Sequence, residues 1–128
     1  MVWASYVSAL VKRDAIREKG FPKREFFIWN DDVEYFLRMG GVFLAHKSVV
    51  IHKTKNIYTP ADSRDGRYYY QARNRTWLLR SKHLPLGWRV LLFLHFALES
   101  VVYLVKSRGR GWREIARGLK DGLAPLPW

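Results

Sequence analysis

Hydrophobic and polar positions alternate differently in the two halves of this chain. Residues 1 to about 58 mix short apolar runs with turns. "WASYVSALV" alternates with β-branched and aromatic residues, which predicts a strand. "KRDAIREKG" predicts a short helix stopped by Gly20. "FPKREFF" predicts a loop that runs into "FIW". From Asp31 to Met39 the period turns helical, with Val33, Phe36 and Leu37 on one face, and Gly40-Gly41 ends it. "VFLA" and "SVVIH" predict two short strands with a turn between them. The order strand, helix, helix, strand, strand belongs to an α/β or α+β layer.

Residues 59 to 128 predict a basic, helical region. "TPADSRDG" is a loop. "RYYYQARNRTWLLRSK" is a helix with Tyr69, Ala72, Thr76 and Leu79 along one stripe and Arg67, Arg73, Arg75 and Arg80 around the rest. "LPLG" breaks the pattern before "WRVLLFLHFALESVVYLVKSR", the most apolar segment. "GRG" breaks it again, and "WREIARGLKDGLA" is a final short helix. No internal repeat and no low-complexity tract occurs.

The apolar segment carries His95 and Glu99 in its middle. A span needs roughly 20 apolar residues, and a central carboxylate costs a few kcal/mol, so a full crossing is disfavoured. Two readings stay open: a core or partner-packing helix, and a helix in the membrane interface. Trp88 and Arg89 on one side, and Lys106, Arg108, Arg110 and Trp112 on the other, are flanks that suit an interface.

Composition narrows the choices. Hydrophobic residues make up 48% and aromatics 16%, too apolar for a disordered chain despite a net charge of +12. With 128 residues there is room for one modest core. The absence of Cys excludes a disulfide framework and thiolate metal sites, and fits a reducing compartment. "MVWASYVSALVKRD" lacks a basic region before its apolar part, so no secretory signal is expected. A pI near 10.3 calls for an anionic partner: nucleic acid, an anionic membrane surface, or a phosphate-bearing substrate.

Against that basic background, "FFIWNDDVEYFLRMGG" groups three acids: Asp31, Asp32 and Glu34. Asp31 and Glu34 form a D-x-x-E pattern at a helix start, where the acid can accept from the Glu34 N–H and Glu34 can reach back. Both also suit the positive end of the helix dipole, where a carboxylate keeps a low pKa. Capping leaves Asp32 over. Such a carboxylate is a weak base and takes a proton from a hydroxyl only when well positioned.

"FPKREFFIWNDDVEYFLRMGG" followed by "VVIHK" resembles the acceptor-side segment of family 2 glycosyltransferases of the GT-A fold, closest to bacterial galactofuranosyl- and rhamnosyltransferase-like members. The shared pieces are the aromatic run Phe26-Phe27-Ile28-Trp29, the pair Asp31-Asp32, then Glu34, Leu37-Arg38, Gly40-Gly41 and a closing His52. The preceding segment and "RYYYQARNRTWLLR" resemble the flanking parts, so the likeness runs over about residues 3 to 80 and more loosely to 123.

The resemblance implies an α/β chain: a partial GT-A-like half over residues 1–58, followed by a basic helical extension over 59–128. It implies Asp32 as general base of an inverting transfer from a nucleotide-sugar to a hydroxyl of a glycan or lipid-linked acceptor. Trp29, Asp31 and Glu34 would line the acceptor site. His52 would help bind a divalent metal, and a neutral imidazole suits Mn²⁺ better than Mg²⁺. Arg38 and the basic residues of 53–75 would reach phosphates. The family's D-x-D, carried on an earlier nucleotide-binding half, has no counterpart here. The resemblance therefore implies a C-terminal portion with little activity alone, its other half supplied by a longer chain or a partner. It places the chain in the cytoplasm at the inner face of the plasma membrane. The competing class is a nucleic-acid module in which Tyr68-Tyr69-Tyr70 and Trp77 stack on bases among arginines. The absence of RNA-binding signatures, and three acids that would repel phosphate, disfavour it.

Overall fold

The computed structural model describes residues 4–53 and 59–126. Its regular structure is helical throughout: α1 (Arg13–Lys19), α2 (Asp31–Arg38), α3 (Tyr68–Arg80), α4 (Leu86–Lys106) and α5 (Trp112–Leu123), with 3₁₀ turns at Arg24–Phe26 and Pro60–Asp62. The helices fall where the periodicity places them, and α1 ends at Gly20, whose φ is 78°.

The α/β, GT-A-like expectation is overturned: no strand occurs among the described residues. The physical reason is pairing. A strand is stable only with a hydrogen-bonding neighbour, and none of the three alternating runs finds one. Residues 4–12 form no strand, and Tyr6 packs with its ring 6.0 Å from Tyr35 and 5.7 Å from Phe36. "VFLA" and "SVVIH" form no strand, and Phe43, Leu44, Val49, Val50 and Ile51 are exposed. Trp3, at the start of the first predicted strand, and the boundary drawn at residue 58 lie outside the described residues.

Close approach of α5 to α3 organises the rest. Gly118 and Gly122, one turn apart on α5, both face α3. A Cβ on Gly118 would lie 2.6 Å from the Ala72 Cβ and the Tyr69 carbonyl oxygen. One on Gly122 would lie 2.5 Å from the Thr76 Cβ. Small residues on both helices let the backbones meet. Arg80 donates to the Gly122 and Ala124 carbonyls at 2.6 and 2.7 Å and satisfies the end of α5.

Two buried clusters flank this pair. One joins Phe26 and Leu37 to Trp77, Leu78 and Leu84; the other joins Ala61, Tyr68 and Ala72 to Phe96 and Tyr103 of α4. The segment around α2 therefore packs directly on α3. Within the second cluster, Tyr68 and Tyr103 stack 3.9 Å apart and nearly parallel.

Among the described residues, α4 is the one helix long and apolar enough to cross a membrane. Only 11% of its apolar window is buried, which rules out the core-helix reading within this chain. Its orientation is the reverse of a soluble amphipathic helix. Arg89, Leu92, Phe96, Glu99, Ser100 and Tyr103 face the protein, whereas Leu91, Leu94, Leu98, Val101 and Val105 on the opposite face are each more than half exposed.

Candidate functional site

The acid-bearing stretch is held in a conformation its residues do not favour. Phe27, Trp29 and Asn30 have φ of 62°, 62° and 64°, in the left-handed region that bulky residues avoid. Such a backbone persists when its surroundings over-determine it. Here α3 does so. The fully buried Asn74 donates from Nδ2 to the carbonyls of Phe26, Ile28 and Trp29, each at 2.9 Å. Arg73 donates to the carbonyls of Glu25 at 2.5 Å and Phe26 at 3.3 Å. Its guanidinium lies over the Trp77, Tyr70 and Tyr69 rings at 4.2, 5.0 and 5.4 Å.

The three acids divide their roles differently from the capping prediction. Asn30 occupies the N-cap, and the Glu34 N–H donates to its carbonyl at 3.0 Å. Glu34 does not reach back. Its buried carboxylate takes a two-pronged contact from Arg38 at 2.7 and 3.1 Å, and Arg38 also donates to the carbonyls of Lys19 and of Phe21, tying α2 to the end of α1. Glu34 is thus committed to the fold, as is Arg38, which the resemblance sends to phosphate. Asp32 is the residue that satisfies a helix N–H: its Oδ1 accepts from Val33 at 2.8 Å. Its Oδ2 has no hydrogen bond among the described residues. Asp31 is half-buried, and burial pushes its carboxyl above the usual range, with the Asp32 charge adding to the effect. Tyr6 donates to the Asp31 carbonyl at 3.4 Å, and burial, then the charges of Asp31 and Asp32, push its phenol up.

Trp29 is half-buried beside the acids. His52 is exposed in the irregular segment after α2, and no group of three His, Cys, Asp or Glu able to hold a metal occurs among the described residues. The resemblance assigns the other ligands of the Mn²⁺ or Mg²⁺ to the missing half, so His52 is the one contribution it implies for this chain.

A buried polar relay leaves this site on its other side. Asn30 Nδ2 donates to Gln71 Oε1 at 2.8 Å, and Gln71 Nε2 donates to Glu99 Oε2 of α4 at 2.6 Å. Neither Gln71 nor Asn74 stands out in the sequence. Two polar residues three apart, on the face that carries Tyr68 and Ala72, are the signal that could have found them. The aromatics proposed for base stacking are otherwise engaged: Tyr68 and Trp77 are buried, and Tyr70 packs on Phe27 at 4.9 Å.

No protein-family model, no curated protein and no solved structure matches this chain.

Proposed function

We propose that this chain is the acceptor-side, membrane-seated part of an inverting glycosyltransferase, working at the cytoplasmic face of the plasma membrane. The observation that supports it best is the over-determined loop from Phe27 to Asn30. Three left-handed residues are held by two buried or stacked side chains of α3, and the loop delivers Asp31 and Asp32 beside Trp29. Strain of this kind clusters at functional sites. It gives structural content to the sequence resemblance, whose acid pair falls on the same residues.

In this reading the Asp32 carboxylate, oriented through Oδ1, takes the proton from the acceptor hydroxyl at Oδ2. The hydroxyl oxygen bonds to the anomeric carbon, and the bond from that carbon to the nucleoside diphosphate breaks, the leaving group keeping its electron pair. Asp32 is catalytic, and Trp29 stacks on the acceptor sugar. Asp31 shapes the acceptor site. Donor binding belongs to a nucleotide-binding half outside this chain.

The acceptor lies on or near lipid. The exposed apolar face of α4 supports seating in the membrane interface rather than a crossing. Its inner face is fixed to α3 at mid-length by the Gln71–Glu99 and Tyr68–Ser100 hydrogen bonds. A crossing would place α3, with Arg73 and Arg75, at the bilayer centre, where each charge costs a few kcal/mol or more.

The test is acceptor binding by ligand-observed NMR, using short galactose- and rhamnose-containing oligosaccharides and vesicle-bound chain. Wild type and Asp32→Asn are expected to bind, and Trp29→Ala to lose binding with its helicity intact. Absence of saccharide binding by folded wild type overturns the reading. Turnover of nucleotide-sugars by the isolated chain would overturn the assignment of donor binding to another half.

A further inference from the structure

Where the C-terminal end of α4 meets the 3₁₀ turn Pro60–Asp62, a cleft of about 810 Å³ opens. Its basic lining is Arg64, Lys106, Arg108 and Arg110; its acids are Asp62 and Glu114. Both acids are already engaged. Asp62 accepts from Lys106 Nζ at 2.5 Å and from the Thr59 hydroxyl at 2.5 Å. Glu114 accepts from the Tyr103 hydroxyl at 2.5 Å. Arg64, Arg108 and Arg110 have no ion pair among the described residues, so three guanidiniums share one concavity without an acid of their own.

The cleft has a fixed frame. Arg108 has φ 52°, uncommon for a non-glycine residue, and Gly109 follows at 77°. Their turn is tied to α4 by Arg108 N–H to the Val105 carbonyl at 3.1 Å and Gly109 N–H to the Leu104 carbonyl at 2.8 Å. Gly111 seats against Tyr103, where a Cβ would come within 2.3 Å of the ring. Trp112, next in the chain to the lining residue Gly111, is exposed, as suits an indole in a bilayer interface.

We infer that this cleft is a binding site for the phosphate group of an anionic lipid. The inference rests on the membrane seating of α4. With the Leu91–Leu98–Val105 face in the acyl boundary, the end of α4 lies at headgroup level, and guanidiniums grip phosphate oxygens in a fork that ammonium groups lack. Charge near an anionic surface adds affinity at about 1 kcal/mol per residue, or about fivefold each.

Flotation of the full chain separates the alternatives, with vesicles of phosphatidylcholine alone, or mixed with phosphatidylglycerol or phosphatidic acid. Wild type is expected to bind all three and the anionic vesicles at least about tenfold better. The variant Arg64→Ala/Arg108→Ala/Arg110→Ala is expected to lose most of that preference while keeping its binding to neutral vesicles. A control with the same charge change on α1 and the 3₁₀ turn after it, Arg13→Ala/Arg17→Ala/Arg24→Ala, is expected to keep it within about twofold, as these exposed charges do not line the cleft. Circular dichroism checks that both variants fold.

Equal losses in the two triple variants would mean generic attraction and overturn the site. Release from anionic vesicles by inorganic phosphate at equal phosphate concentration overturns the lipid assignment in favour of free phosphate. Release by a single-stranded oligonucleotide overturns it in favour of nucleic acid. Failure of wild type to bind any vesicle removes the membrane seating itself, a different result from loss of the arginine dependence alone.

Discussion

Asn74 does more for the candidate site than any acid in it. One amide serves three carbonyls, and its replacement takes a donor from each and leaves the left-handed loop to Arg73 alone on the α3 side. Asn74→Ala is expected to cost about 2–3 kcal/mol, from about 1 kcal/mol per lost hydrogen bond and the burden of unsatisfied groups. Asn74→Asp, which sets an acceptor against three acceptors, is expected to cost more. Urea unfolding of both variants checks the order, and an Asp variant as stable as wild type would show the clamp is not formed. Asp31 gives a pH signature. Burial raises its folded-state pKa above the ordinary 3.8, so the stability it contributes is complete below that value and is lost as pH rises through the raised one. Asp31→Asn is expected to remove this decline. Thermal midpoints measured from about pH 4 to 7 read it directly, and an unchanged slope in the variant would contradict the burial. Asp62 acts in the opposite direction. Lys106 first, then Thr59, hold its carboxyl down to about 2, so its contribution disappears only as pH falls from 3.8 toward that value, which keeps the two windows apart.

At the scale of elements, the α3–α5 contact is the most sensitive to a single methyl. In an unconstrained helix Ala is favoured over Gly by about 1 kcal/mol. Gly118→Ala and Gly122→Ala place that methyl against the Tyr69 and Arg73 carbonyl oxygens at 2.6 and 2.9 Å, so the helices must separate. Each is expected to destabilise by about 1–3 kcal/mol. Gly87→Ala in α4, with nothing within 4 Å, is expected to be neutral or stabilising. Denaturation midpoints of the three variants should thus move in opposite directions, and a common direction would contradict the close crossing. The helices were legible because period 3.6 is a local property: α1, α2, α3 and α5 lie within a few residues of where the pattern places them. The strands were not. Alternation in "WASYVSALV" or "SVVIH" states a preference for extended backbone, but pairing is non-local, and no partner strand occurs among the described residues. The "GLKDG" spacing of small residues at Gly118 and Gly122 was present in the sequence and would have signalled the tight crossing.

For the whole molecule, the sequence left the apolar segment open between core and interface, because hydropathy is blind to which face a helix turns inward. The structure excludes burial of the helix within the described chain: Glu99, Ser100 and Tyr103 turn inward, and the opposite face, aliphatic except for the exposed His95, looks outward. The candidate site was legible at Asp31, Asp32 and Trp29, which share one loop and helix start. The cap was misread at Glu34, whose i,i+4 partner Arg38 won over it. The polar relay from Asn30 through Gln71 to Glu99 joins the acid loop to the outward-facing helix. The most direct test of a membrane covering uses the absence of Cys in the chain. Single cysteines at each position from 90 to 105, labelled with an environment-sensitive fluorophore, report burial depth through lipid-borne quenchers. Interfacial seating predicts quenching at 91, 94, 98, 101 and 105 at one shallow depth of about 5–10 Å, with protection at 92, 96, 99 and 103. Quenching absent at every position, or a depth that runs steadily from one surface through the bilayer centre, would contradict it.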